Sequence, residues 1–133
     1  MSLDQSQIDQ AMPFGRELGI EFAEATPDKV RSRLAWRSEL CTAGGVLHGG
    51  ALMGMADAAG GLLAFLNLPD GATGTATIES KTNFFRAVRD GAVHGRSSVL
   101  HRGRTTIVVE TDLFDDDDRH VARVTQTQAV LGA

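Results

Sequence analysis

Residues 47–68 read LHGGALMGMADAAGGLLAFLNL, and what this stretch becomes determines what the rest of the chain must build. It lies within a run of thirty residues, Leu40 to Pro69, whose one charged side chain is Asp57. Residues 49–67 predict a helix that is apolar on nearly all sides, and such a helix is wrapped by protein rather than laid on a surface. Its glycines and alanines let a backbone or a ligand approach closely, at about 1 kcal/mol of helix propensity per interior glycine. The apolar part approaches membrane-spanning length, but five glycines and a central aspartate speak against a span. A carboxylate in these surroundings is costly unless it is hydrogen-bonded, paired or reached by water. Asp57 is therefore either a well-satisfied structural acid or the reagent of an active site.

On the N-terminal side, residues 4–12 predict a short polar helix ended by Pro13, because the residue before a proline disfavours helical geometry. Two strands are expected next, Leu18–Ala25 and Lys29–Arg37, on either side of a turn at Thr26-Pro27-Asp28. The second alternates, with Val30, Ser32, Leu34 and Trp36 on one face and Arg31, Arg33, Ala35 and Arg37 on the other. A glycine-rich approach, Ala43–Leu47, leads into the helix, and Pro69-Asp70-Gly71 ends that segment.

Beyond it four strands are expected: Thr75–Phe85, Gly91–His101, Thr105–Phe114 and His120–Leu131. The turns between them fall at Arg89-Asp90-Gly91, Arg102-Gly103-Arg104 and Asp115–Asp118. Short turns imply that consecutive strands are antiparallel neighbours. The fold class is α+β: one curved antiparallel sheet around a long central helix, in a single domain over residues 1–133 with 1–13 as an N-terminal extension. One chain cannot cover both faces of such a sheet, so a second copy is expected to cover or extend it.

A chain of 133 residues, 42% apolar and 23% charged, suits one soluble domain with a real core. The net charge of −4, with no basic run interleaved with aromatics, gives no support for nucleic-acid binding. Cys41 is the single cysteine, which excludes an intrachain disulfide, fits a reducing compartment and reads as a small apolar residue. The N-terminus lacks a signal-peptide core, so a cytoplasmic location is expected. The aspartates 115–118 fit a solvated turn better than a calcium loop, since the loop's glycine and distal glutamate are missing. No metal site and no cofactor are expected. His94, His101 and His120 read as structural or surface residues.

The chemistry concentrates at His48-Gly49-Gly50 and Asp57. A helix beginning near Gly49 presents free N–H groups and the positive end of its dipole, where an oxyanion can be held. His48 stands at the cap. Eight residues separate Gly49 from Asp57, roughly 12 Å along the axis, too far for both to act on one carbonyl within one chain. Two antiparallel copies of the helix, with axes about 8–10 Å apart, would set Asp57 of one against Gly49 of the other. If the site is catalytic, it lies at a dimer interface.

HGGALMGMADAAGG, preceded by Gly45-Val46-Leu47, resembles the central-helix signature of hotdog-fold acyl-CoA thioesterases of the phenylacetate-pathway and 4-hydroxybenzoyl-CoA types. The resemblance extends through Thr82–Ala87, the Gly91 turn, Leu100–Thr105 and the closing strand. It implies that Asp57 attacks the thioester carbonyl or acts as general base for water, that the Gly49 N–H polarises the carbonyl, and that His48 shapes the loop. Arg86, Arg102, Gly103 and Arg104 sit where such proteins place groups for the phosphates of CoA. Two positions depart from the pattern. Thr42 stands where relatives carry Asn or Gln, and Gly61 stands where several carry a water-orienting Ser or Thr.

The functional expectation is hydrolysis of an acyl-CoA thioester by a homodimer or dimer of dimers, with no nucleic-acid or membrane partner. A non-catalytic acyl-CoA binding protein and a hydroxyacyl-thioester dehydratase or hydratase are the alternatives. Leu52, Met53, Leu63 and Phe84 are candidates to line the acyl pocket.

Overall fold

Asp4 opens the first helix of the computed structural model, which describes residues 3–132. Its carboxylate accepts from the Gln7 N–H at 3.0 Å while the Gln7 side chain accepts from the Asp4 N–H, a reciprocal cap that starts α1, Gln5–Ala11. Pro13 then begins a second helix rather than only ending the first. It is the first residue of α2, Pro13–Leu18, where its missing N–H costs nothing and its fixed φ suits the turn. Gly19 closes α2 in the left-handed region at φ 84°, so the strand expected from Leu18 starts only at Glu21.

The strands are β1 (Glu21–Ala25), β2 (Val30–Ala35), β3 (Gly74–Phe84), β4 (Ala92–Arg102), β5 (Thr106–Phe114) and β6 (His120–Leu131). They form one antiparallel sheet in the order β1-β2-β4-β5-β6-β3, packed around α3, Gly49–Phe65. The alternation expected in β2 holds: Val30, Ser32 and Leu34 are buried beneath the sheet and Arg31 and Arg33 are exposed.

One pairing differs from the expectation. β3 does not lie beside β4 but at the far edge of the sheet, paired with β6. Residues 85–91 are a crossing segment rather than a tight turn. The Phe85 and Arg86 N–H groups donate to the Val121 carbonyl, Val88 is buried, and the Val88 carbonyl accepts from Leu47 N–H at 2.9 Å.

The buried side of α3 carries Leu52, Met55, Ala56, Ala59, Leu62 and Leu63. Leu52 and Met55 pack with Leu34, Leu47, Val93 and Leu113 at one end, while Leu63 packs with Ile8, Val30, Ile107 and Val109 at the other. Asn67 closes the helix by donating to the Leu63 carbonyl at 2.8 Å and to the Pro27 carbonyl at 2.9 Å. The helix is not wrapped on every side. Gly50, Met53, Asp57 and Phe65 form an exposed stripe, because the sheet curls around only part of its circumference.

The outer sheet face carries ion pairs: Arg33–Glu21 at 3.0 Å and Arg123–Asp112 at 2.8 Å among them. A charged face does not require a second sheet over it. What is left open is the β3 edge, where Ile78, Phe84 and the adjoining Phe85 are among the most exposed large apolar side chains. In the aspartate turn, the Arg119 backbone N–H holds Asp115 below the usual carboxylate range. The His94 ring, 2.7 Å away, does the same for Asp116, and Arg96 pairs with Asp118. His120 pairs with Asp112 at 2.8 Å.

Candidate active site

The approach to α3 is braced from three directions. Gly44 and Gly45 turn the chain at φ 82° and 72°, which favours glycine. The Trp36 indole donates to the Gly45 carbonyl at 3.0 Å, and the His48 N–H donates to the Leu40 carbonyl at 2.9 Å. With Leu47 buried and tied to Val88, the helix N-terminus is held firmly in place.

His48 is the N-cap, and its Nδ1 accepts from the Gly50 N–H at 2.8 Å. The Ala51 and Leu52 N–H groups donate to the His48 carbonyl. The Gly49 N–H makes no hydrogen bond to any described residue. It is the donor left over at the positive end of the helix. The Phe84 ring lies across Gly49, and a Cβ placed there would sit 3.1 Å from the ring. Thr42 lies in the loop before the helix, exposed, with its side chain capping nothing.

Asp57 is two turns further along, on the exposed stripe. Its Oδ1 accepts from the Thr77 hydroxyl at 3.1 Å. Thr77 Oγ1 in turn accepts from the Gln128 amide at 2.7 Å, and Gln128 is 1% exposed. Because that amide occupies the Thr77 oxygen as a donor, the hydroxyl proton is directed at the carboxylate. Asp57 Oδ2 has no partner among the described residues. One oxygen is thus held and the other left open.

Sequence reasoning did not find Thr77 or Gln128. The β3–β6 register slips between Thr77 and Glu79, so Thr77 opposite Gln128 and Ser80 opposite Gln126 share the inner face. Strict alternation along β3 places them on opposite faces, and the bulge corrects it. One signal was available: Gln126 and Gln128 alternate with threonines in a strand whose other inward positions, such as Val124, are apolar. A buried glutamine requires a partner.

The expected CoA-binding residues are not gathered within one chain. Arg86 follows the end of β3, whereas Arg102, Gly103 and Arg104 lie at the β4–β5 turn near the start of β3, where the Val130 N–H donates to the Thr105 carbonyl. The 11 residues of β3 separate the two groups by roughly 35 Å. Arg86 also shares a groove of about 430 Å³ with Asp115, Asp116 and Asp117. Of the four pocket candidates, Leu52 and Leu63 are buried in the core, while Met53 and Phe84 remain on the open side.

Residues 44–122 match the family model of the thioesterase superfamily. The chain is 35% identical over 118 residues to a Mycobacterium tuberculosis protein named as an esterase, covering 87% of this chain and 84% of that one. The solved structure of that protein superposes with a TM-score of 0.87, covering 91% of this chain and 98% of that one. The proofreading thioesterase EntH of Cronobacter turicensis is 30% identical over 132 residues, covering 99% of this chain and 96% of the other. A Streptococcus pneumoniae thioesterase solved with coenzyme A is 25% identical with a TM-score of 0.77, covering 85% of this chain and 86% of that one.

Proposed function

The chain belongs to the thioesterase superfamily and is a thioester hydrolase, and from that premise we propose that it cleaves acyl-CoA thioesters at a site shared by two antiparallel copies of α3. The observation that carries this reading is a pair of unfilled groups on α3: the free Gly49 N–H at its start and the half-held Asp57 carboxylate two turns further along.

Within one chain these groups are roughly 12 Å apart along the helix, which no single carbonyl can bridge. A two-fold axis near Met53 would set each Asp57 opposite the partner's Gly49. The same axis would pair the two β3 edges and cover Ile78, Phe84 and Phe85. It would also bring Arg86 of one copy to the sheet end that carries Arg102 and Arg104 of the other. Three arginines from two chains then converge on the side where a polyanionic carrier would lie.

In the proposed reaction, the Gly49 N–H of one copy polarises the thioester oxygen. Asp57 of the other copy, acting through Oδ2, takes a proton from water as the oxygen of that water bonds to the carbonyl carbon. Collapse of the tetrahedral intermediate breaks the C–S bond, and the proton passes to the departing thiolate, giving free acid and thiol. Thr77 holds Oδ1 and so fixes the carboxylate with Oδ2 turned to the open side. The coenzyme A bound to the Streptococcus pneumoniae thioesterase supports CoA as the carrier here.

The test is thiol release from a panel of acyl-CoAs by the wild-type protein and by Asp57→Ala. Release by the wild type, with a loss of at least about 100-fold in Asp57→Ala, is expected. Equal turnover by the variant removes Asp57 from the chemistry.

A further inference from the structure

Among the described residues, two hydrogen bonds run from the sheet to α3, and both end on Asp57. One is the Thr77 hydroxyl on the carboxylate, set by Gln128. The other comes from Gln126, whose Nε2 donates to the Asp57 backbone carbonyl at 3.5 Å. Gln126 and Gln128 lie two residues apart on the inner face of β6, about 7 Å along the strand. Each is 1% exposed, on a face that Ala122 and Val124 continue with apolar side chains. Neighbouring glutamines thus grip one residue, the first by its main chain and the second, through Thr77, by its side chain.

Gln126 is costly to the fold. Its Oε1 is buried with no partner among the described residues, and the same holds for Ser80 Oγ across the strand pair. A buried amide with one end unpaired costs free energy that an apolar side chain of the same size would not. It also imposes a glycine on the helix. The amide lies over Gly60, where a Cβ would fall 2.6–2.9 Å from its terminal atoms. Gly60 stands just under one turn after Asp57, on the side toward which the carbonyl of residue 57 points. The amide therefore reaches that carbonyl only across a bare stretch of backbone. An unpaired buried oxygen and a mid-helix glycine at one contact are the kind of local cost that proteins carry at functional positions.

Resting on the functional reading above, we infer that Gln126 is a positioning residue for the reaction: it fixes α3 against β6 at the acid itself, and Gly60 is the gap that lets it do so. The other contacts of the buried side of α3 with the sheet are apolar and non-directional. A hydrogen bond on the main chain of residue 57 sets the rotation of the helix and its height over the sheet at that point. With the carbonyl held by Gln126 and Oδ1 by Thr77, Oδ2 has one direction left in which to face the thioester carbonyl. Displacing a reacting group by 1 Å can cost about 100-fold in rate, so a clamp of this kind bears on kcat.

The experiment measures kcat, KM and denaturant unfolding for wild type, Gln126→Met, Gly60→Ala and the double variant, with Asp57→Ala alongside, on the best acyl-CoA of the thiol-release panel. Methionine matches glutamine in length, and the Asp57 carbonyl keeps its helical bond, so Gln126→Met is expected to be at least as stable as the wild type. Its kcat is expected to fall about three- to thirtyfold while KM changes less than about twofold. Gly60→Ala pushes the amide aside and is expected to lower kcat too. The two losses are expected not to multiply in the double variant, because both act through one contact. A kcat unmoved in either single variant, or losses that multiply, overturns the clamp; with Asp57→Ala inactive, that result leaves the functional reading standing. Equal turnover by Asp57→Ala overturns the functional reading, and the inference with it.

Discussion

The Thr77 hydroxyl lies 3.1 Å from Asp57 Oδ1, joining the acid of the central helix to the edge strand twenty residues further along the chain. That bond is directional, because the buried Gln128 amide fills the other side of the Thr77 oxygen at 2.7 Å. The carboxylate thus has a fixed orientation although it stands on an exposed stripe. Replacing the hydroxyl by a methyl in Thr77→Val removes a hydrogen bond to a charged group, about 1.5–3 kcal/mol. The expected result is a fall in kcat of about ten- to hundredfold with little change in KM, and recovery in Thr77→Ser. Steady-state kinetics on the three proteins checks it; equal losses in the valine and serine variants would mean that strand packing, not the hydroxyl, matters.

Adjacent glycines on α3 should respond to alanine with opposite signs. A Cβ on Gly60 would lie 2.6–2.9 Å from the terminal amide group of Gln126, a residue only 1% exposed, so a buried amide would have to shift. Gly60→Ala is expected to destabilise by about 1–2 kcal/mol, overpacking outweighing the gain in helix propensity. Gly61→Ala meets no atom and should stabilise by up to about 1 kcal/mol. Denaturant unfolding of both variants measures the difference.

His48 caps α3 through Nδ1 on the Gly50 N–H at 2.8 Å. His48→Ala should cost about 1 kcal/mol of stability, and His48→Asn should recover most of it, because asparagine is among the best N-caps. Activity measured on the asparagine variant then separates the cap from chemistry. A cap alone predicts that turnover recovers along with the melting temperature.

The Asp116 carboxyl is held below its ordinary range chiefly by its hydrogen bond to His94. A group whose folded pKa is depressed stabilises the fold above its unfolded pKa, near 4, and loses that contribution as pH falls through the folded value. Asp116→Asn is therefore expected to melt slightly below the wild type at pH 6, with the gap closing as the pH falls below the unfolded value near 4. Thermal melts across that range provide the check; a gap that widens in acid would reverse the sign.

The parts of this molecule that were legible in the sequence are those written locally. His48, Gly49 and Asp57 sit on one helix, so their spacing could be converted to distance before any tertiary contact was known. Thr77 and Gln128 were not legible, because they meet Asp57 only through a strand pairing 51 residues apart and a bulge that re-aims Thr77. The place of β3 at the sheet edge was missed for a related reason. Residues 85–91 contain turn-forming residues, yet the burial of Val88 and its bond to Leu47 carry the chain across the sheet. Pro13 stops α1 as its sequence context predicts, but it also starts α2, which only the residues after it decide. The apolar face of α3 was legible, but its uncovered stripe was not.

The claim that each reaction centre draws on two chains is tested most directly by complementation. Gly49→Pro removes the N–H at the first helical position, where proline is tolerated; the extended backbone of His48 suits a following proline, and the half-exposed Phe84 ring can turn aside. Asp57→Ala removes the acid. Each variant alone should be inactive, but in a dimer containing one of each, the intact Gly49 of one chain faces the intact Asp57 of the other. After subunit exchange at equal concentrations, half the dimers are mixed and half of their sites are whole, so recovery of about a quarter of wild-type turnover is predicted. Mixed dimers detected by native mass spectrometry with no recovered turnover would contradict the shared site.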